Sequence, residues 1–113
     1  MYHIKAILLN NCPYSDAALE IIKNNKIKSN IININNDNKY MYKNDQIDTF
    51  PQIYLNKNNS YGNLLLGGYD DLKKFIDNFK DHKYSDDKIN KFMNEYKWSK
   101  KATLRFIQLL HSS

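Results

Sequence analysis

One short unit near the start constrains this chain more than anything after it. Ile4-Lys5-Ala6-Ile7-Leu8-Leu9 reads as a buried strand, and Ala17, Ala18, Leu19, Ile21 and Ile22 form an apolar face at helical spacing. Between them stands Asn11-Cys12-Pro13-Tyr14-Ser15. Cys12 therefore falls at a strand-to-helix turn, with Pro13 at the first helical position, where a missing N–H costs nothing. A thiol there meets unpaired backbone N–H groups and the positive end of the helix dipole, which favour the thiolate, the reactive form. Taken alone, a cysteine also reads as a small buried hydrophobe.

The bulk composition narrows the classes. The 113 residues suffice for one domain with a core, and 42% hydrophobic with 26% charged residues is a globular balance. A single cysteine excludes an internal disulfide, so any redox chemistry is intermolecular. There is no long apolar leader and no run near the ~18 residues of a membrane span, so a soluble, cytoplasmic chain is expected. His3, His82 and His111 with one cysteine lack metal-ligand spacing, so no protein metal site is expected; nor is there a P-loop motif. The net charge of +5 is uneven: residues 1–80 carry ten basic and eight acidic side chains, residues 81–113 seven and four. Lys97, Lys100, Lys101 and Arg105 share a window without an acid. It reads as a solvated helix face. Nucleic-acid binding, which needs several stacking aromatics, has only Trp98 there.

Along the chain, the first helix is expected to end near Lys26. A second strand covers Ile31–Ile34 after the polar pair Ser29-Asn30. Asn35 to Lys39 is turn-like, and Tyr40, Met41 and Lys43 suggest a brief helix. Gln52–Leu55 reads as a strand opened by Pro51, Asn56–Ser60 as a turn and Tyr61–Leu66 as a further strand. Gly67-Gly68 hands over to a helix that starts at Tyr69-Asp70-Asp71, where acids match the dipole, and carries Leu72, Phe75, Ile76 and Phe79 on one face. Ser85–Leu110 is helical again. Ser85 is its N-cap, Ile89, Phe92, Met93 and Tyr96 make one stripe, Thr103, Phe106, Ile107 and Leu110 another, and Ser99 divides the two.

Strand, Cys-Pro-Tyr helix, strand, helix, Thr-x-Pro strand, strand, Gly-Gly-x-Asp helix: over roughly residues 2–80 this order resembles the glutaredoxins of the thioredoxin superfamily. The resemblance implies an α/β, thioredoxin-like fold: a four-stranded mixed sheet in the order 2-1-3-4, flanked by helices. Residues 82–113 would form an added helical extension within a single domain, 1–113. It implies Cys12 as the nucleophile, flanked by Pro13 and Ser15, and a cis Pro51 that sets the backbone of Phe50 beside the sulfur to pair with extended glutathione. Gly68, Tyr69 and Asp70 would hold the γ-glutamyl end, N–H groups meeting its carboxylate and Asp70 its ammonium, while Tyr14 would shield the sulfur. The plainer alternatives are a trans proline at an edge strand, ordinary helix-start acids at Asp70 and Asp71, and a surface tyrosine at 14.

Two departures from the family pattern modify what is implied. Ser15 occupies the place of the second cysteine, giving a monothiol Cys-Pro-Tyr-Ser site that needs glutathione from outside to resolve a mixed disulfide. Leu9 stands where many members carry a lysine that meets the glycyl carboxylate, leaving Lys39, Lys43 or Gln46 as substitutes and implying weaker activity. The expected function is a glutathione-dependent thiol–disulfide oxidoreductase, a monomer acting on glutathionylated or disulfide substrates with glutathione as co-substrate. The alternatives are a dimer bridging a [2Fe–2S] cluster through Cys12 and glutathione, or a thioredoxin-fold interaction module using the C-terminal helices.

Overall fold

The computed structural model describes residues 2–57, 63–79 and 85–111. In chain order, Tyr2–Leu9 forms β1, Pro13–Asn24 α1, Ser29–Ile34 β2, Gln52–Lys57 β3, Asn63–Gly67 β4, Tyr69–Phe79 α2, Asp86–Tyr96 α3 and Lys100–Leu110 α4. The brief helix expected around Tyr40 is a single 3-10 turn, Lys39–Met41, with Lys43 outside it. One sheet has the order β2-β1-β3-β4, with β1 parallel to β2, β1 antiparallel to β3, and β3 antiparallel to β4. This is the mixed thioredoxin-like sheet that the sequence implied. Central β1 is covered on both faces, which is why Ile4, Ala6, Ile7 and Leu8 are all buried rather than alternating with polar residues.

Several boundaries differ from expectation for local reasons. Helix α1 stops at Asn24, two residues early, because Lys26 takes the left-handed conformation (φ 53°). The Lys26 N–H then donates to the Lys23 carbonyl and the Ile27 N–H to the Ile22 carbonyl. Buried Ile27 completes this helix-ending motif with its apolar contact. Strand β3 runs on through Asn56 and Lys57, where a turn was expected, since these pair with His3 and Tyr2 of a β1 that starts earlier than its apolar run. The rest of that expected turn, and Tyr61 of the next strand, lie outside the described residues.

The C-terminal helices begin as expected. Ser85 Oγ accepts from the Lys88 N–H at 3.2 Å and Ser99 Oγ from the Ala102 N–H at 3.1 Å, caps worth about 1 kcal/mol each. Lys97, left-handed at φ 58°, ends α3 and turns buried Trp98 inward. A continuous cluster of buried apolar side chains reaches from Ile4 through Phe75 and Phe79 to Leu110. Phe75 is its hub: ring centroids lie 5.2 Å away at Phe92, 4.9 Å at Tyr96, 4.6 Å at Trp98 and 6.1 Å at Phe106. His111, closing α4, sets Nε2 2.5 Å from the carbonyl of Phe79, the last residue of α2.

The basic window is not uniformly solvated. Lys97, Lys100 and Lys101 are exposed, but the Arg105 guanidinium lies 5.6 Å over the Tyr2 ring and donates to Gln108 Oε1 at 2.9 Å. Among the described residues, no helix is long and apolar enough to cross a membrane.

Burial, and after it the charge of Glu95, pushes the Tyr96 phenol up from its ordinary value. A raised folded-state value makes the folded form hold its proton more tightly. The associated stability is therefore fully present below the unfolded value near ~10 and lost as pH rises above it. Tyr96→Phe is expected to flatten the alkaline end of the stability profile, read as the urea midpoint between pH 9 and 11.

Candidate functional site

Three segments build the site, beginning with the turn after β1. The Asn10 N–H donates to the Ile34 carbonyl of β2 at 2.9 Å. Alternation along the strand aims the next N–H inward, that of Leu9, to the other side, beyond the last β1–β3 pair at Ile7 and Gln52. Ser15 supplies its partner: Oγ accepts from the Leu9 N–H at 3.0 Å, and the residue is only 1% exposed. Asn11 then turns the chain at φ 62°, a conformation asparagine tolerates. Cys12 becomes the N-cap of α1, extended at φ −107° and ψ 118°, its carbonyl accepting from the Asp16 N–H. Its thiol is free, half-buried, and makes no capping hydrogen bond.

Ser15 is thus more than a missing second thiol. It fastens the end of β1 to the first turn of the helix that carries Cys12. Ser15→Ala leaves the Leu9 N–H unpaired and is expected to lower stability by about 1–3 kcal/mol in urea unfolding, while Cys12 remains open to alkylation.

The second segment joins β4 to α2. Gly67 has φ +123°, and a Cβ built there would land on the Asp71 carboxylate. That carboxylate accepts from the Gly68 N–H at 3.1 Å, the half of a capping box in which the third helical residue reaches back to the N-cap. The adjacent acids therefore differ. Asp71 is partly buried and engaged, while Asp70 is exposed and its carboxylate has no partner among the described residues. Gly67→Ala is expected to cost about 1–3 kcal/mol through backbone strain alone, read as a lower thermal midpoint, and to dislodge Asp71.

The third segment leads into β3. The Phe50–Pro51 peptide bond is cis, as the resemblance implied, and Pro51 is fully buried. A Cβ at Gly68 would lie 3.6 Å from the Pro51 carbonyl oxygen, so these two backbones are neighbours. Buried Gln52, next in the chain, donates from Nε2 to the upstream Tyr42 carbonyl at 2.8 Å, pinning the loop to the sheet. Asn44 Oδ1 accepts from the N–H groups of Gln46 and Ile47, at 2.8 and 3.1 Å, which fixes that pair.

Together the segments enclose an open groove of about 520 Å³. It gathers Tyr14, Phe50, Pro51, Gly68, Tyr69 and Asp70, six residues that sequence reasoning had singled out from three separate stretches. Tyr14, 61% exposed, leans toward Tyr69 with ring centroids 6.2 Å apart, so α1 and α2 face each other across it. Cys12, Pro13 and Ser15 are not part of the lining; Cys12 sits two residues before Tyr14, at the tip of the same helix. Of the three substitutes for the absent lysine, Gln46 lines the groove and Lys39 and Lys43 do not. Ile47, Leu65 and Asp71 also line it without any sequence signal to that effect, and Thr49 and Gly67 were visible only as the starts of Thr-x-Pro and Gly-Gly-x-Asp. No group of three or more His, Cys, Asp or Glu side chains is placed to hold a metal ion among the described residues.

Compared with known proteins, residues 1–59 match the family model described as Glutaredoxin. The chain belongs to the glutaredoxin family. Glutaredoxins as a family generally use glutathione as co-substrate, and membership supports a thiol–disulfide oxidoreductase type of function for this chain. The match covers the Cys12 turn and Pro51 but ends before Gly68–Asp71, which the structure brings into the same groove as Phe50 and Pro51. No curated protein matches the chain.

Proposed function

We propose that this glutaredoxin works by a monothiol mechanism on glutathione mixed disulfides. The observation that supports it most is the single groove lined by Tyr14, Phe50, Pro51, Gly68, Tyr69 and Asp70 beside a helix whose N-cap is the only cysteine. The Cys12 thiolate attacks the glutathionyl sulfur of a substrate–glutathione disulfide. A Cys12–glutathione disulfide forms, and the substrate leaves as a thiolate that takes up a proton. A second glutathione thiolate then attacks the glutathionyl sulfur, releasing glutathione disulfide and regenerating the Cys12 thiolate. Summed over both steps, the substrate–glutathione disulfide and one glutathione thiol become the substrate thiol and glutathione disulfide.

Each lining group has a task in this cycle. The Phe50 backbone pairs with the extended tripeptide. The N–H groups opening α2 receive the γ-glutamyl carboxylate, and Asp70 receives its ammonium. Tyr14 and Tyr69 form the apolar wall, and Gln46 offers an amide to the opposite end. Helices α3 and α4 act with the sheet, α1 and α2 as one folding unit and contribute no residue to the groove lining. The chain works as a monomer on glutathionylated or other disulfide substrates in the cytoplasm.

The test is glutathione-dependent reduction of a low-molecular-weight mixed disulfide, coupled to glutathione reductase, at neutral and mildly alkaline pH. Turnover that saturates with the disulfide is expected. No rate above the uncatalysed exchange would reject the reading.

A further inference from the structure

We propose that Gln52 is a positioning residue for recognition. Its buried amide holds one wall of the groove in place, so it governs how well a glutathionyl group is received and leaves the reactivity of Cys12 untouched. This rests on the glutathione reading above and deepens it. Residues 43–51 form neither strand nor helix, yet Gln46, Ile47, Thr49, Phe50 and Pro51 line the groove. Among the described residues, the hydrogen bonds of 43–50 stay inside the loop: the Asn44 N–H donates to the Ile47 carbonyl at 2.9 Å, and Asn44 Oδ1 accepts from the Gln46 and Ile47 N–H groups. Such bonds shape the turn without placing it against the sheet.

Placement comes from Gln52, which is not itself part of the lining. Its backbone sits in the last β1–β3 pair, opposite Ile7, and its side chain is fully buried. Nε2 donates to the Tyr42 carbonyl at 2.8 Å and Oε1 accepts from the Tyr54 hydroxyl at 3.4 Å, so the amide is engaged at both ends. The loop is thereby closed at its base, between the Tyr42 carbonyl and the start of β3. The turn that carries Cys12 is held by other groups, the Asn10 N–H on the Ile34 carbonyl and the Leu9 N–H on Ser15 Oγ. A side chain that offers Tyr42 no donor therefore frees the wall without releasing that turn. Apparent affinity then falls with the fraction of time the wall is in place, because ordering it again opposes binding.

The experiment uses the full chain and three probes of Cys12 under single turnover. They are the mixed disulfide of glutathione with 2-mercaptoethanol, bis(2-hydroxyethyl) disulfide and iodoacetamide, each followed as the Cys12 adduct by intact mass. In both disulfide reactions the Cys12 thiolate displaces 2-mercaptoethanol, so the pair differs only in the group that the groove receives. Gln52→Met is expected to lower the rate constant with the glutathionyl disulfide at least about tenfold and to leave the other two within about twofold. In Gln52→Glu the carboxyl, buried and facing the Tyr42 carbonyl and the Tyr54 hydroxyl, favours its neutral form, whose O–H donates as the amide did. The ratio of the two disulfide rates in this variant is expected near the wild-type ratio at about pH 6 and well below it at about pH 8, the wild-type ratio staying level. A wild-type ratio in Gln52→Met, or three rates that fall in proportion, overturns the inference and leaves the glutathione reading standing. If Gln52→Met does not fold, a Gln52→Glu ratio that stays level with pH overturns it instead. A wild-type protein that reacts no faster with the glutathionyl disulfide than with bis(2-hydroxyethyl) disulfide overturns both.

Discussion

Cys12→Ser is expected to lose at least ~10³-fold in glutathione-dependent turnover while the protein becomes no less stable. The two effects separate because the sulfur's reactivity and the fold rest on different atoms. Serine at this position cannot form the mixed disulfide on which the proposed cycle runs. The Cys12 side chain makes no capping hydrogen bond, whereas serine is among the preferred N-cap residues, so the substitution supplies an acceptor to α1. A gain of about 0.5–1 kcal/mol in urea unfolding alongside lost turnover is the result to look for. It is the exchange expected where a reactive group occupies a position that a stabilising residue would fill better. Turnover that survives in Cys12→Ser would move the chemistry elsewhere, and the chain has no other cysteine to receive it.

Phe75→Ala is expected to cost about 3–5 kcal/mol, a large part of the roughly 5–15 kcal/mol that keeps a domain folded. Phe75 is 1% exposed, and its ring touches aromatic side chains from α3, from α4 and from the Trp98 connection between them. Truncation removes apolar burial and several edge-to-face contacts at once, and rings fixed by their own helices cannot collapse into the space. If the C-terminal helices fold with the sheet, far-UV ellipticity and Trp98 fluorescence should shift together to a lower denaturant midpoint. Two separated transitions would reject the proposal that residues 1–113 are one folding unit.

By itself the sequence determined whatever depends on neighbouring residues. Proline after cysteine, acids after paired glycines, serines at 85 and 99, and apolar spacing along each helix are short-range signals, so α1, α2, α3 and α4 were legible to within a residue or two. The family pattern extended this to the strand order and to six of the groove residues. Tertiary structure alone decided what depends on partners far apart in the chain. Two adjacent acids look alike in the sequence, yet a left-handed glycine turns Asp71 back onto the Gly68 N–H and leaves Asp70 outward. Ser15 reads as a lost thiol until β1 outruns β3 and leaves the Leu9 N–H in need of an acceptor. Gln46 gains its place only because buried Gln52 pins its loop. A residue's propensity is written in its own side chain, but an unmet hydrogen bond or an uncompensated charge exists only once the chain has closed around it.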